Sequence, residues 1–290
     1  MDIKRIVDCN NVLGEGPMWD VQEERLYWVD IFGKKVFRAT AEGKEVQSWD
    51  VPSQVGAMAL RKDGGAILSL TEGFALLDFN SGRCERFWDA PHAHANMRVN
   101  DGKVDKRGRY LSGSIDVSEQ SPDGVLFSVE PDLSVREIDR GVVVSNGPCW
   151  SPDGSTFYFS DSRGRTIWAY DYDLDTGNVS NKRVFAQLGE EDGLPDGATV
   201  DADGYVWSAG VYKGKIHRFA PDGSRDMTID FPVVCVTSVM FGGPDLDVLY
   251  VTTMRKSPFP DVVETGPEAG GLFTITGLGI KGVPEQRFGG

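Results

Sequence analysis

The chain has 290 residues, 44 acidic against 30 basic, for a formal net charge of −14. No basic patch is visible to hold phosphate, so neither nucleic acid nor an anionic membrane is an expected partner, and no apolar run approaches transmembrane length. The first nine residues, Met1 to Cys9, contain no apolar export-signal core, which points to a cytoplasmic protein.

In chain order, six stretches share one pattern: a short polar or glycine-rich entry, an apolar anchor, a turn, and a run of aromatic and β-branched residues. The anchors are Trp19, Leu60, Val104, Trp150, Val200 and Phe241. Four residues before each stand Glu15, Gly56, Asn100, Asn146, Asp196 and Thr237, at successive spacings of 41, 44, 46, 50 and 41 residues. A period of this length with several short strands per unit is the signature of a β-propeller. The pattern predicts an all-β chain, a six-bladed β-propeller forming one domain over residues 1–290.

Within the units, Pro-Asp-Gly recurs at Pro152–Gly154, Pro195–Gly197 and Pro221–Gly223, and Asp-Ala-Asp-Gly occupies Asp201–Gly204. These supply tight-turn chemistry for hairpins. Between them lie strand-like runs such as Thr156–Phe159 and Tyr205–Ser208, and alternating ones such as Thr166–Tyr170 and Lys215–Phe219. No long helical apolar stripe is present. The final strand-like run, Gly271–Thr276, is expected to pair with Lys4–Cys9 and close the ring, hiding a sheet edge.

In a propeller the innermost strand of each blade lines the central channel, so residues at one register converge around the axis. Glu15, Asn146 and Asp196 then present hard oxygen donors from three blades, with Asn100 from a fourth. Such donors suit calcium, magnesium or manganese, and two carboxylates can also hold zinc or iron(II). The plainer reading makes Asn100, Asn146 and Asp196 turn formers ahead of glycine. Glu15 resists it, because Glu is a poor turn residue.

Other features carry less. Cys9, Cys84, Cys149 and Cys235 are scattered without a Cys-x-x-Cys pair, which is neither a disulfide framework nor a thiolate zinc site, and Cys149 reads as a small buried hydrophobe. Asp171-x-Asp173-x-Asp175 opens like a calcium loop, but its sixth position is Thr176 and its twelfth Lys182, so an acidic hairpin tip is expected. His92 and His94 read as a solvated loop. No Gly-x-Ser-x-Gly elbow, P-loop or dinucleotide fingerprint occurs.

Several separate segments, in order, resemble the gluconolactonase family, the sugar lactonases of the regucalcin and senescence-marker-protein type. They are Leu13–Pro17, Arg98–Asp105, Ser145–Pro148, Pro195–Gly197, Phe241–Pro244 and Glu268–Phe273, with Thr274–Gly282 at the tail. The resemblance covers nearly the whole chain. It implies a six-bladed propeller with one divalent metal on Glu15, Asn146 and Asp196, of unspecified identity among calcium, zinc, manganese and iron(II). It further implies Asp196 as general base and Arg98 and Asn100 as substrate contacts. At the acidic substrate contact of similar proteins this chain carries Ser118, with Asp116 and Glu119 nearby but out of register. The expected activity is hydrolysis of a small sugar lactone to an aldonic acid; the alternative is a non-enzymatic calcium-binding or interaction propeller.

Overall fold

Short strands joined by tight turns cannot bury both faces of a sheet alone, so each four-stranded unit must find neighbours. The computed structural model describes residues 1–258 and 266–290. In it the strands form six separate four-stranded antiparallel sheets, arranged as a six-bladed β-propeller. The innermost strands are Gly14–Asp20, Val55–Leu60, Met97–Val104, Ser145–Trp150, Leu194–Val200 and Val236–Gly242 for blades 1 to 6. All six positions of the sequence register lie on these strands.

Blades 1 to 5 are uninterrupted meanders, whereas blade 6 is shared between the two ends of the chain. Its strands Val236–Gly242, Val248–Thr253 and Leu272–Thr276 are completed by Asp2–Val7, which pairs antiparallel with Leu272–Thr276. The expected closure is there, two residues earlier at the N-terminal end than Lys4–Cys9. Among the described residues the apolar side chains fall into six clusters that follow the blade interfaces. Trp150, Phe157 and Tyr172 of blade 4 meet Leu111 and Leu126 of blade 3, and Trp207 of blade 5 packs edge-on against Phe241 of blade 6. Burial between blades supplies the apolar core that one compact centre could not give a chain of this length.

The turn signals are resolved two ways. Gly154, Gly204 and Gly223 take positive φ in outer hairpins, as the sequence predicts. Pro195-Asp196-Gly197 does not form a turn: it lies inside the buried inner strand of blade 5. Asn100-Asp101-Gly102 and Asn146-Gly147 are likewise inside inner strands. At this level every blade has a break in register between its first two strands, for example Glu15/Met18, Val99/Gly102, Asn146/Cys149 and Pro195/Ala198. A bulge re-aims the side chains beside it, so the glycine-containing pairs serve the inner strand rather than a loop.

The chain after Thr276 runs across one face of the ring. Phe288 is fully buried against blades 2 and 3, and Arg287 donates to both carboxylate oxygens of Asp20, at 2.9 and 2.6 Å. Glu285 pairs with Lys103 at 3.4 Å with both side chains largely covered, and it lines the channel below Asp101 and Ser238. This face is strapped, and among the described residues the access route is the opposite mouth. The Asp171–Asp175 segment is a hairpin tip, where Asp173 accepts backbone N–H groups of Asp175 and Thr176.

Removing residues 1–7 exposes the edge of Leu272–Thr276. The truncated protein is expected to melt at lower temperature than the full chain and to scatter light on heating. Unchanged melting in differential scanning fluorimetry would mean that the closing strand contributes little.

Candidate functional site

Strand periodicity and the bulges turn inner-strand side chains of five blades towards the axis. Glu15 and Asp196 arrive from blades 1 and 5, Asn146 from blade 4, Arg98 and Asn100 from blade 3, and Thr237 from blade 6, and all line one cavity. Blade 2 offers none. Its register residue is Gly56, where a Cβ would lie 2.6 Å from Asn100 Cα, so the close passage of the blade 3 strand requires glycine there.

The polar groups are joined in a chain across three blades. Arg98 Nη1 donates to Asn100 Oδ1, as expected of residues two apart on one strand face. Asn100 Nδ2 donates to Asn146 Oδ1 at 2.8 Å and to the Ser145 carbonyl at 2.8 Å. Asn146 Nδ2 donates to Ser162 Oγ at 2.9 Å, and Ser162 Oγ donates to the Pro195 carbonyl at 2.6 Å, next to Asp196. The chain fixes which way each amide faces, with both Asn oxygens turned towards their blade 3 neighbours. Arg98 Nε is buried and, among the described residues, has no hydrogen-bond partner. An orphaned buried donor of this kind costs free energy unless a ligand takes it.

Electrostatics set the carboxylates apart from the rest. Glu15 and Asp196 are about 95 and 92 % buried, from exposures of 5 and 8 %. Burial pushes the Glu15 carboxyl well above its usual range, and the charges of Asp196 and Asp101 push it further. Asp196 is raised by burial too, then by Asp101 and Glu119. Arg98 opposes both shifts only weakly, and burial lowers its own pKa to about 10. The two carboxylates therefore lack a matching positive charge from the protein. Among the described residues no three His, Cys, Asp or Glu side chains cluster as a metal site. The donor set here is two carboxylates and an amide, which a divalent cation could neutralise and bridge.

Ser118 does not join the site. It is exposed, and its hydroxyl donates to Asp116 at 2.8 and 2.7 Å, while Glu119, one residue on, lines the cavity and pairs with Arg163. The Asp116 carboxylate caps this loop, accepting the N–H groups of Ser118, Gln120 and Ser121, and so turns Ser118 inward to the loop. His92 and His94 are also apart from it: His92 contacts the Thr71 carbonyl and His94 lies 3.6 Å from Asp123. Cys149 is buried and its thiol is pushed up to about 12 by burial, in keeping with an inert hydrophobe.

Asp101, Ser162, Phe32 and Tyr212 escaped the sequence reading, and Glu119 entered it only as a neighbour of Ser118 out of register. Asp101 lies in the Asn-Asp-Gly bulge and accepts the Gly147 N–H at 2.9 Å, tying the blade 3 bulge to the blade 4 bulge. Its motif was visible, but its direction depended on the bulge. The others stand on outer loops, with no periodic signal to mark them.

A six-bladed propeller with a polar cluster of this kind at one channel mouth defines the architecture of the molecule. The chain belongs to the SMP-30/Gluconolactonase/LRE-like family, whose model matches residues 13–255. It is 37% identical over 295 residues to regucalcin of Xenopus laevis, covering 99% of this chain and 98% of that one. It is 39% identical over 285 residues to regucalcin of Gallus gallus, covering 96% and 95%. A solved luciferin-regenerating enzyme superposes with a TM-score of 0.89 at 29% identity, over 99% of this chain and 98% of the other. The family includes gluconolactonases, and among the described residues no helix is long and apolar enough to cross a membrane.

The raised carboxylates make a pH-dependent contribution to stability. A carboxyl whose folded pKa exceeds its unfolded value binds more protons when folded, so stability falls as pH rises from the ordinary carboxylate range through the folded pKa. In chelator, Glu15→Gln is expected to melt above the parent by a margin that widens as pH is raised. Melting curves at several pH values check this; a constant or shrinking margin contradicts the like-charge burial.

Proposed function

We propose that the chain is a divalent-metal-dependent hydrolase of sugar lactones, working at the open mouth of the channel. The observation that carries this reading is the pair of buried, uncompensated carboxylates, Glu15 and Asp196, facing a cavity lined also by Arg98, whose Nε has no partner among the described residues. Family membership supports the reaction class.

Glu15, Asn146 and Asp196 would hold the cation, with the amide of Asn146 oriented by Asn100 and Ser162. When bound, the metal supplies Lewis acidity, polarising a carbonyl and making hydroxide available near neutral pH. Asp196 holds and removes a proton from the attacking water, the general-base role. Arg98 directs its Nε and remaining N–H groups to ring hydroxyls and to the carbonyl oxygen as charge develops there. Asn100 spends both amide hydrogens on Ser145 and Asn146 and accepts from Arg98, which leaves one lone pair of its Oδ1 for a further contact. Its work is to hold Arg98 and Asn146 in register and, through that lone pair, to accept a hydroxyl of the substrate. Water adds across the lactone C–O bond: the acyl carbon gains the hydroxyl, the ring oxygen takes the proton, and an open-chain sugar acid leaves.

Acid release from a panel of aldonolactones, with and without chelator, tests this reading directly. Activity that is lost on chelation and restored by a divalent cation is expected. Metal bound stoichiometrically with no turnover on any lactone would instead favour the calcium-binding alternative.

Asp196→Asn keeps an oxygen donor and removes the base. Turnover should drop by about 10²–10⁴-fold while some metal is retained. Near-parent turnover with metal bound would move the base elsewhere. Arg98→Ala should lower kcat/KM on hydroxylated lactones far more than on an unsubstituted lactone, with metal content unchanged in elemental analysis.

A further inference from the structure

Three hairpins at the open mouth have the same length. In blade 1 the pair Asp30–Lys35 closes a loop of four residues, in blade 4 the pair Asp161–Thr166 does so, and in blade 5 the pair Gly210–Lys215. The fourth loop residue is left-handed in each, with φ of 55° at Lys34, 52° at Arg165 and 60° at Gly214. The second loop residues are Phe32, Arg163 and Tyr212. Phe32 and Arg163 keep ordinary negative φ, but Tyr212 has φ of 72°. A bulky aromatic residue in this region is a genuine outlier.

Loop length does not demand the outlier, since the sister loops lack it. Part of the difference has a local cause. In blades 1 and 4 the residue before the loop is an Asp whose carboxylate accepts the N–H of the third loop residue, Gly33 at 3.0 Å and Gly164 at 3.3 Å. Blade 5 has Gly210 there, and a Cβ at that position would lie 2.2 Å from the Asp192 carbonyl oxygen. The missing cap frees the turn to take another shape. It does not account for a tyrosine at the left-handed position, which Gly or Asn fills at little cost.

The side chain supplies the reason. Tyr212 is half-buried, packs beside the cluster holding Leu13, Ile31 and Met254, and lines the same cavity as Glu15, Arg98 and Asp196. Its hydroxyl is hydrogen-bonded to Ser257, and burial, followed by the charges of Glu119 and Asp196, pushes the phenol further above its ordinary pKa, so it is neutral at physiological pH. A neutral O–H thus stands on the side of the cavity opposite in character to Arg98: Arg98 can only donate, whereas a phenol donates and accepts. Backbone strain retained at such a place points to use of the side chain.

Building on the lactonase reading, we infer that Tyr212 is a substrate-contacting, specificity-determining residue. Its strained backbone delivers the phenol to the Asp196 and Glu119 side of the cavity, where it hydrogen-bonds a ring hydroxyl of a polyhydroxylated lactone and lays its ring against the apolar C–H edge.

The test uses the full chain loaded with divalent cation, with Tyr212→Phe and Tyr212→Asn assayed on a hydroxylated six-membered lactone and on unsubstituted δ-valerolactone. Tyr212→Phe should lower kcat/KM on the hydroxylated lactone by about 3–10-fold, mainly through KM, and leave δ-valerolactone within about 2-fold. Tyr212→Asn, which tolerates the left-handed backbone but lacks the ring, should lose more activity on the hydroxylated lactone. Two results overturn the inference: full activity of both variants, or equal losses on the two substrates. If the parent itself hydrolyses neither lactone, the lactonase reading fails and takes this inference with it. An active parent with unaffected variants sinks the inference alone.

Discussion

Closing a ring of six sheets is the constraint on which everything else in this molecule rests. Each blade buries its apolar faces only against the next one, so an open array would end in two bare faces and an unpaired edge. The antiparallel pairing of Asp2–Val7 with Leu272–Thr276 completes blade 6 with the strand that leads into blade 1, and the stacked Trp19 and Tyr250 rings sit in the seam between these two blades. With the ring closed, six inner strands are held around one axis, and a single residue position repeated six times becomes a single place in space.

That place is made polar by bulges. An undisturbed strand alternates its side chains between two faces, but the register breaks in every inner strand turn the relevant residue to the channel. Asp101 binding the Gly147 N–H shows how neighbouring bulges are tied together. The hydrogen-bond chain from Arg98 through Asn100, Asn146 and Ser162 to the Pro195 carbonyl then couples blades 3, 4 and 5. A satisfied network of this sort rigidifies its members. In the cavity it leaves two carboxylates without a matching cation and, among the described residues, one guanidinium N–H without an acceptor.

The two faces of the ring differ because the tail treats them differently. Phe288, Arg287 and Glu285 anchor the last residues across one face, with Glu285 inserted beside Lys103 in the channel. The opposite face carries the loops with Phe32, Glu119, Arg163 and Tyr212, so variation there reshapes the mouth without disturbing the inner strands. Loops on a rigid scaffold are where recognition can change at low structural cost.

The sequence by itself determined the blade number, the all-β class and the inner-strand position of Glu15, Asn100, Asn146 and Asp196, because a repeat of period 41 to 50 records the same local demand six times. It also placed Arg98 on the same side as Asn100, since two residues along a strand is a fixed geometry. Tertiary structure alone decided the rest. Pro195-Asp196-Gly197 reads as a turn but becomes a buried strand, because burial between blades overrides local turn preference. Ser118 is withdrawn by the Asp116 cap, and Glu119 takes the wall of the cavity. Tyr212, Phe32 and Ser162 carry no periodic signal, and each reaches the site only because distant strands bring its loop to the axis. Periodicity reports what neighbours in sequence share, whereas a cavity is built from residues that share nothing but position in space.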